Sequence, residues 1–314
     1  IGTIMFASGY FIASTSKGNL LVVILGLSFF TGIGIGLCYL TGLVTPVKWF
    51  PKRKGLITGV SVAGFGIGAI VLSAFVEFLL EREIPVLQIF RIIALAYGAM
   101  LLIGTVLIRS KKFTEKEHTI EEADSKLLRS RNFWGLSIGL FAGTFAGLLL
   151  IGNLKPIGIW SNLDEIFTTL AISILSIGNM SGRVFWGYLS DKIHGKKIIN
   201  LALSFLAASS LLLIFTRTNA LFFLINTFAI GLGFGANFVL FAKEISNIYG
   251  VEKLGLIYPY VFLFYGVAGI VGPSIGGSLY DIFGSYLISI FIAGGVCIMG
   301  IFIHNILIKK SAGL

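Results

Sequence analysis

Apolar residues along this chain run in long unbroken blocks, and polar residues gather into short stretches between them. Such blocks occupy residues 1–14, 20–47, 56–80, 86–108, 133–153, 166–189, 197–216, 219–242, 255–280 and 286–308. Most reach about 20 residues, the length an α-helix needs to cross a hydrocarbon core of about 30 Å. The pattern therefore predicts ten visible membrane helices. The first block is too short to cross unless it continues upstream, and a chain that opens on Ile1 inside an apolar run reads as truncated at its N-terminus.

Composition sharpens this picture. Of 314 residues, 56% are hydrophobic and only 12% charged, with a mean hydropathy of +0.96. Soluble domains carry about 25% charged residues, so this chain could not cover a water-facing surface. Its hydrophobicity also excludes disorder. Cys38 and Cys297 both lie in apolar blocks, and His118, His194 and His304 are scattered, so neither a disulfide framework nor a metal site is expected. The 40 glycines suit closely packed membrane helices.

A net charge of +10 would suggest nucleic acid in a soluble protein. Here it reports orientation. Lys52, Arg53, Lys54, Arg109, Lys192, Lys196, Lys253 and Lys309 fall in loops on one side, with most other basic residues, whereas the opposite loops hold only Lys17, Arg82, Lys155 and Arg217. Lys and Arg collect in cytoplasmic loops, so the first side is expected to be the cytoplasm. Localisation is read as the inner (plasma) membrane, multi-pass, with the C-terminus cytoplasmic. Only Arg91 and Arg183 then lie within spans. The polar, mixed-charge stretch at 109–132 reads as a cytoplasmic linker between an N-terminal bundle, 1–108, and a C-terminal bundle, 133–314.

An internal repeat relates the two. GIGIGLCY, from Gly32, returns as GLGFGANF, from Gly231, 199 positions later. Each is followed by a polar loop, a Gly-Leu pair (Gly55-Leu56 and Gly255-Leu256) and a glycine-rich span. Shifting the second half back by that offset leaves two helices and a loop, about 70 residues, without a counterpart ahead of Ile1. The expected architecture is thus all-α, six plus six helices in parallel repeat, with the first two missing. GIGIG follows no strand, so its likeness to a dinucleotide loop is spurious.

The most specific string is GYLSDKIHGKK, Gly187 to Lys197. It resembles the loop signature of the major facilitator superfamily, G-x-L-a-D-r-x-G-r-k. Gly187, Leu189, Asp191, Lys192, Gly195 and Lys196 match it when His194 counts as an insertion. Within that superfamily, VKWFPKRKGLITG (Val47 to Gly59), AGLLLIGNLKPIG (Ala146 to Gly158) and SGRVFWGYLSD (Ser181 to Asp191) look like the oxalate/formate antiporter family. The resemblance implies the major facilitator fold and carriage of a small organic anion by rocking of two bundles about a midplane site. It also implies that the cation binding the substrate carboxylate is Arg183. The family's second cation, a Lys, is replaced here by Tyr265, so one cation and a phenol face the substrate. Such a pair suits a monoanion or neutral solute better than a dianion.

Arg183 is also notable without the resemblance. If its helix ends near Leu189, the side chain starts about 9 Å inside that end, where a cation is costly unless it faces protein, water or an anion. Ser176, Asn179 and Arg183 fall within about 60° on the helix and form an inward stripe. Either Arg183 serves substrate or gating, or it snorkels to the headgroups. Tyr258, Phe262, Tyr265 and Gly269 share one face of a later helix, and Asn226, Gly233 and Asn237 one face of its predecessor. Those faces either line a cavity or make ordinary interhelical contacts. The expected substrate set is Arg183, Asn179, Tyr265, Tyr258 and Asn237, with Gly187, Asp191, Lys192, Gly195 and Lys196 as the cytoplasmic loop motif.

The function expected is secondary active transport of a small monocarboxylate or dicarboxylate, by exchange or with protons. No phosphate loop for ATP is present, no cofactor or metal is implied, and no span carries the His and carboxylate cluster of an enzyme. The expected partners are the anion and the bilayer, not nucleic acid, and the chain is expected to be a monomer. The alternatives are a non-transporting sensor or scaffold on the same fold, or an inactive truncated product.

Overall fold

The computed structural model describes residues 1–109, 127–193, 195–216 and 219–308. Most of the expected linker (110–126), with His118, His194, Arg217, Lys309 and Lys310, lies outside them. Among the described residues every regular element is helical. They run α1 Gly2–Ser14, α2 Leu20–Ile24, a π-helical stretch Leu25–Thr31, α3 Gly32–Trp49, α4 Lys54–Glu81 and α5 Val86–Leu107. Then come α6 Arg131–Gly152, α7 Leu154–Trp160, α8 Glu165–Lys192, α9 Lys196–Leu212, α10 Ala220–Ile248, α11 Leu254–Phe283 and α12 Leu287–Leu307.

Each apolar block of the sequence thus becomes helix, with three differences. The block at 20–47 is one rod in which the π-helical turns interrupt the α-helix. Gly26 and Gly9 lie in close backbone contact there, and the wider turns run beside α1. The short α7 adds a helix after Gly152. Finally, α10 continues past residue 242 to Ile248 and carries Lys243 and Glu244, each 7% exposed, into the interior. Lys243 is therefore not a loop cation, and what lets it be buried is an ion pair described below.

Eight of the described helices are long and apolar enough to cross a membrane. The 28-residue α8 falls outside that set because it carries a polar stripe, and α1 has only 13 residues.

The described residues form two compact units. One comprises residues 1–49 and 67–109. Its α1 packs on α5, where the Thr3 and Thr105 hydroxyls meet at 3.0 Å, and Leu79, Ile89 and Ile93 form a small core beside Phe6 and Tyr10. The other unit comprises residues 50–66, the start of α4 included, and residues 127–308. In it α8 lies along α10, and α6 along α11 and α12. Leu149, Leu206, Phe223, Ile230 and Ile290 are fully buried in its core.

Small residues set the α8–α10 spacing. Gly178 and Gly182 lie against backbone atoms of α10, and Gly231 and Gly235 against backbone atoms of α8. Membrane helices associate through such close packing because lipid offers no competing hydrophobic drive. Here the glycines of the repeated GLGFG string bring Asn179 and Arg183 directly beside α10. The glycine-proline run of α11 behaves likewise: Gly272 abuts the α6 backbone, and the Asn153 amide donates to the Leu149 and Pro273 carbonyls.

Candidate functional site

The site is built around α8. Asn179 and Arg183, one turn apart, meet as the sequence predicts: Arg183 Nε donates to Asn179 Oδ1 at 3.2 Å. The guanidinium is turned inward, and the residue is 8% exposed. Its Nη1 donates to the Val62 carbonyl of α4, and its Cζ lies 4.7 Å from the centre of the Phe238 ring of α10. A cation over an aromatic face gains about 0.5–2 kcal/mol, more when desolvated. The carbonyl and the ring together offset part of the cost of burying the charge.

This arrangement depends on Gly59. A Cβ at that position would collide with the Arg183 carbonyl oxygen, so only glycine lets the start of α4 lie flat on α8 with Val62 above the guanidinium.

From Phe238 a continuous set of rings extends along α11. Phe238 stands edge-on to Tyr265 at 5.3 Å between centroids and to Phe262 at 6.2 Å. Tyr265 stacks on Phe262 at 4.8 Å, and Phe262 on Tyr258 at 5.0 Å, each pair tilted by 25°. The i, i+4, i+7 spacing on one helix face produces this ladder. Tyr258 is 2% exposed, whereas Phe262 and Tyr265 are half-buried. Phe238 thus links Arg183 and its neighbour Asn179 to Tyr265, whereas Tyr258 meets the ladder only through Phe262, farther from the guanidinium.

Asn237 points elsewhere. Its amide donates to the Phe234 carbonyl and packs against Gly143 of α6, and Asn226 donates to the Ser209 carbonyl. Both satisfy backbone groups inside the helix bundle.

At the end of α8 the loop motif forms a second cluster. Asp191 accepts hydrogen bonds from Gly55 N at 2.9 Å and Leu56 N at 3.0 Å, which are orphan donors in the first turn of α4. It also pairs with Lys243 Nζ at 2.9 Å, and Lys243 donates to the carbonyl and hydroxyl of Ser190. Gly187 meets the Gly55 carbonyl and the Gly59 Cα, so the helices touch backbone to backbone. Lys192 lies over the Tyr188 ring at 4.5 Å, and Lys196 donates to the Asn305 carbonyl at 3.4 Å. Gly195 has φ +64° and ψ −151°, a region essentially reserved for glycine.

At the other end of α8, Lys155 pairs with Glu165 at 2.8 Å. That hydrogen bond and charge hold the Glu165 carboxyl below its ordinary value. Tyr249, just beyond α10, is pushed up by burial, which its hydrogen bond with Ser130 partly opposes. Among the described residues no group of three His, Cys, Asp or Glu side chains could hold a metal.

Three participants are not evident from sequence: Phe238, the Val62 carbonyl and Lys243. The repeat contains the only hint of Phe238, which stands where Tyr39 stands in the first half. A backbone carbonyl leaves no trace in a side-chain pattern, and Lys243 is masked because a lysine beside a span end looks like an orientation signal.

Comparison with known proteins identifies the family. The family model described as Major Facilitator Superfamily matches residues 1–163 and again 149–312. An uncharacterised MFS-type transporter of Escherichia coli (strain K12), YhjX, is 27% identical over 277 residues, covering 85% of this chain and 67% of the relative. The oxalate:formate antiporter of Oxalobacter formigenes is 28% identical over 261 residues, covering 81% of this chain and 62% of the relative. The chain thus spans about two thirds of the length of these relatives. A crystal structure of the E. coli fucose:proton symporter FucP shares the fold at a TM-score of 0.75, with 13% identity, over 98% of this chain and 83% of that one. The chain belongs to the Major Facilitator Superfamily.

Proposed function

We propose that this chain is the working part of a secondary active transporter for a small organic monoanion, of the oxalate/formate antiporter type, with Arg183 as the residue that holds the substrate carboxylate. The observation that carries this reading is a buried cation on the inward stripe of α8, in contact with a backbone carbonyl, an amide oxygen and the Phe238 ring. A guanidinium placed this way offers a carboxylate charge-assisted, planar recognition. The 28% identity to a protein named as an oxalate:formate antiporter supports an anionic substrate. Tyr265 in place of a second cation argues for one carboxylate rather than two.

In this proposal two helix bundles, 1–108 and 133–314, joined by a 109–132 linker, rock about the site, driven by exchange or by protons. The bonds of Asp191 to the start of α4 hold one end of α8 closed and must break once per cycle. That end faces the cytoplasm of a cell whose plasma membrane a monomer of the transporter spans, in line with the sorting of basic loops.

The test is exchange of radiolabelled small carboxylates by the full-length protein in proteoliposomes, beside Arg183→Lys and Arg183→Gln. Loss of an interaction between a charged group and substrate costs about 2–5 kcal/mol, so uptake by Arg183→Gln is expected to fall at least about thirtyfold. Undiminished exchange by both variants would overturn the assignment.

A further inference from the structure

Two cations from different helices converge on the last turn of α12. Arg131, the first residue of α6, donates from Nη2 to the Ile306 carbonyl, and Lys196, the first residue of α9, donates from Nζ to the Asn305 carbonyl, each at 3.4 Å. We propose that this point is a binding site for an anionic phospholipid, whose phosphate diester sits between the guanidinium and the ammonium.

The charge there is not balanced by protein. A helix C-terminus draws cations to its unpaired carbonyls, but it carries only about half a negative charge, and here it faces two full positive ones. Among the described residues no carboxylate pairs with either cation. The neighbouring chain supplies none: residues 127–135, 195–205 and 300–308 contain Arg129, Arg131, Lys196 and Lys197 and no Asp or Glu. Contacts of 3.4 Å are long for hydrogen bonds, and both groups keep most of their N–H donors for another acceptor. The anionic oxygens of a phosphate diester are acceptors of that kind.

The helix ends that carry these cations are tied together. Asn200 of α9 donates to Asn305 Oδ1 at 2.8 Å, and its own oxygen lies 3.2 Å from Nδ1 of the buried His304. Apolar surface next to the site commits it to a lipid rather than a soluble phosphate. One turn along α9 from Lys197, Leu201 is exposed, and the exposed Phe302 and Ile306 share a face of α12. Acyl chains cover these side chains while the headgroup stays with the cations, the arrangement by which basic sites between membrane helices recognise anionic lipids.

The test is native mass spectrometry of the full-length protein titrated with phosphatidylglycerol, with phosphatidylcholine of the same chains, and with glycerol 3-phosphate. Each cation near an anionic headgroup is worth about fivefold in affinity. The first phosphatidylglycerol is therefore expected to bind about thirtyfold more tightly than phosphatidylcholine, and glycerol 3-phosphate should not displace it. Replacing both cations, Arg131→Gln with Lys196→Gln, should abolish the preference, whereas the charge-conserving pair Arg131→Lys with Lys196→Arg should keep it. Lys52→Gln with Arg53→Gln removes the same charge from another basic loop and should leave the preference intact. Equal affinity for the two lipids, equal loss in the Lys52 and Arg53 pair, loss in the charge-conserving pair, or displacement by glycerol 3-phosphate would each overturn the proposal. The wild-type titrations decide it even where a variant misfolds, which gel filtration reports.

Discussion

Replacing Asp191 by Asn tests the cluster at the end of α8 with a change of one atom. In the wild-type protein its carboxylate receives two backbone N–H groups and the Lys243 ammonium, with side chains only 18% and 8% exposed. At 2.9 Å and an effective dielectric of about 20, the Coulomb attraction is about 6 kcal/mol. Desolvation of two mostly buried ions cancels several kcal/mol of it. Breaking such a pair by removing one partner costs about 3–5 kcal/mol. Asp191→Asn belongs near the low end, about 3 kcal/mol, because the amide oxygen still accepts one N–H and Lys243 keeps both Ser190 oxygens. Lys243→Met should cost less, about 1–2 kcal/mol, since Asp191 retains its two donors from α4. The double variant should cost little more than Asp191→Asn alone, giving a coupling energy of about 1 kcal/mol. Reversible denaturation of the purified protein in mixed SDS micelles measures all four corners of the cycle. Single effects below about 0.5 kcal/mol that simply add would refute the account.

Two further outcomes follow from the same helices. Gly59→Leu should push α4 off α8, detach the Val62 carbonyl from Arg183 and expose the guanidinium, read as faster modification of Arg183 by phenylglyoxal; an unchanged rate would show that α4 does not cover it. Gly195→Ala should cost about 1–3 kcal/mol of stability through its backbone angles alone, whereas Lys196→Ala next to it should cost under about 1 kcal/mol; equal melting of both variants would contradict this.

Helix positions were legible in the sequence because the bilayer demands about 20 apolar residues in a row, and Glu165–Lys192 was legible despite Arg183 because its polar groups fall on one stripe. The π-helical turns at Leu25–Thr31 were not, since residues on either side are equally apolar and only packing against Gly9 distinguishes them. At the site, the Arg183–Asn179 pair followed from helical spacing and the Tyr258–Phe262–Tyr265 ladder from a shared face. Asn237 shares a helix with Phe238 but sits about 100° round from it, toward α6. Which of two neighbouring residues meets Arg183 is decided by the close α8–α10 contact, and that is a property of two helices rather than one.

The cap on α4 has a consequence for how the protein is made. Gly55 and Leu56 wait for a carboxylate encoded 136 and 135 residues later. At a synthesis rate of about 5–20 residues per second, that gap is on the order of ten seconds. During this interval the first turn of α4 lacks its Asp191 acceptor, so the Gly55 and Leu56 donors must be satisfied by water in its place. The cap of this turn is thus completed only after α8 has been synthesised.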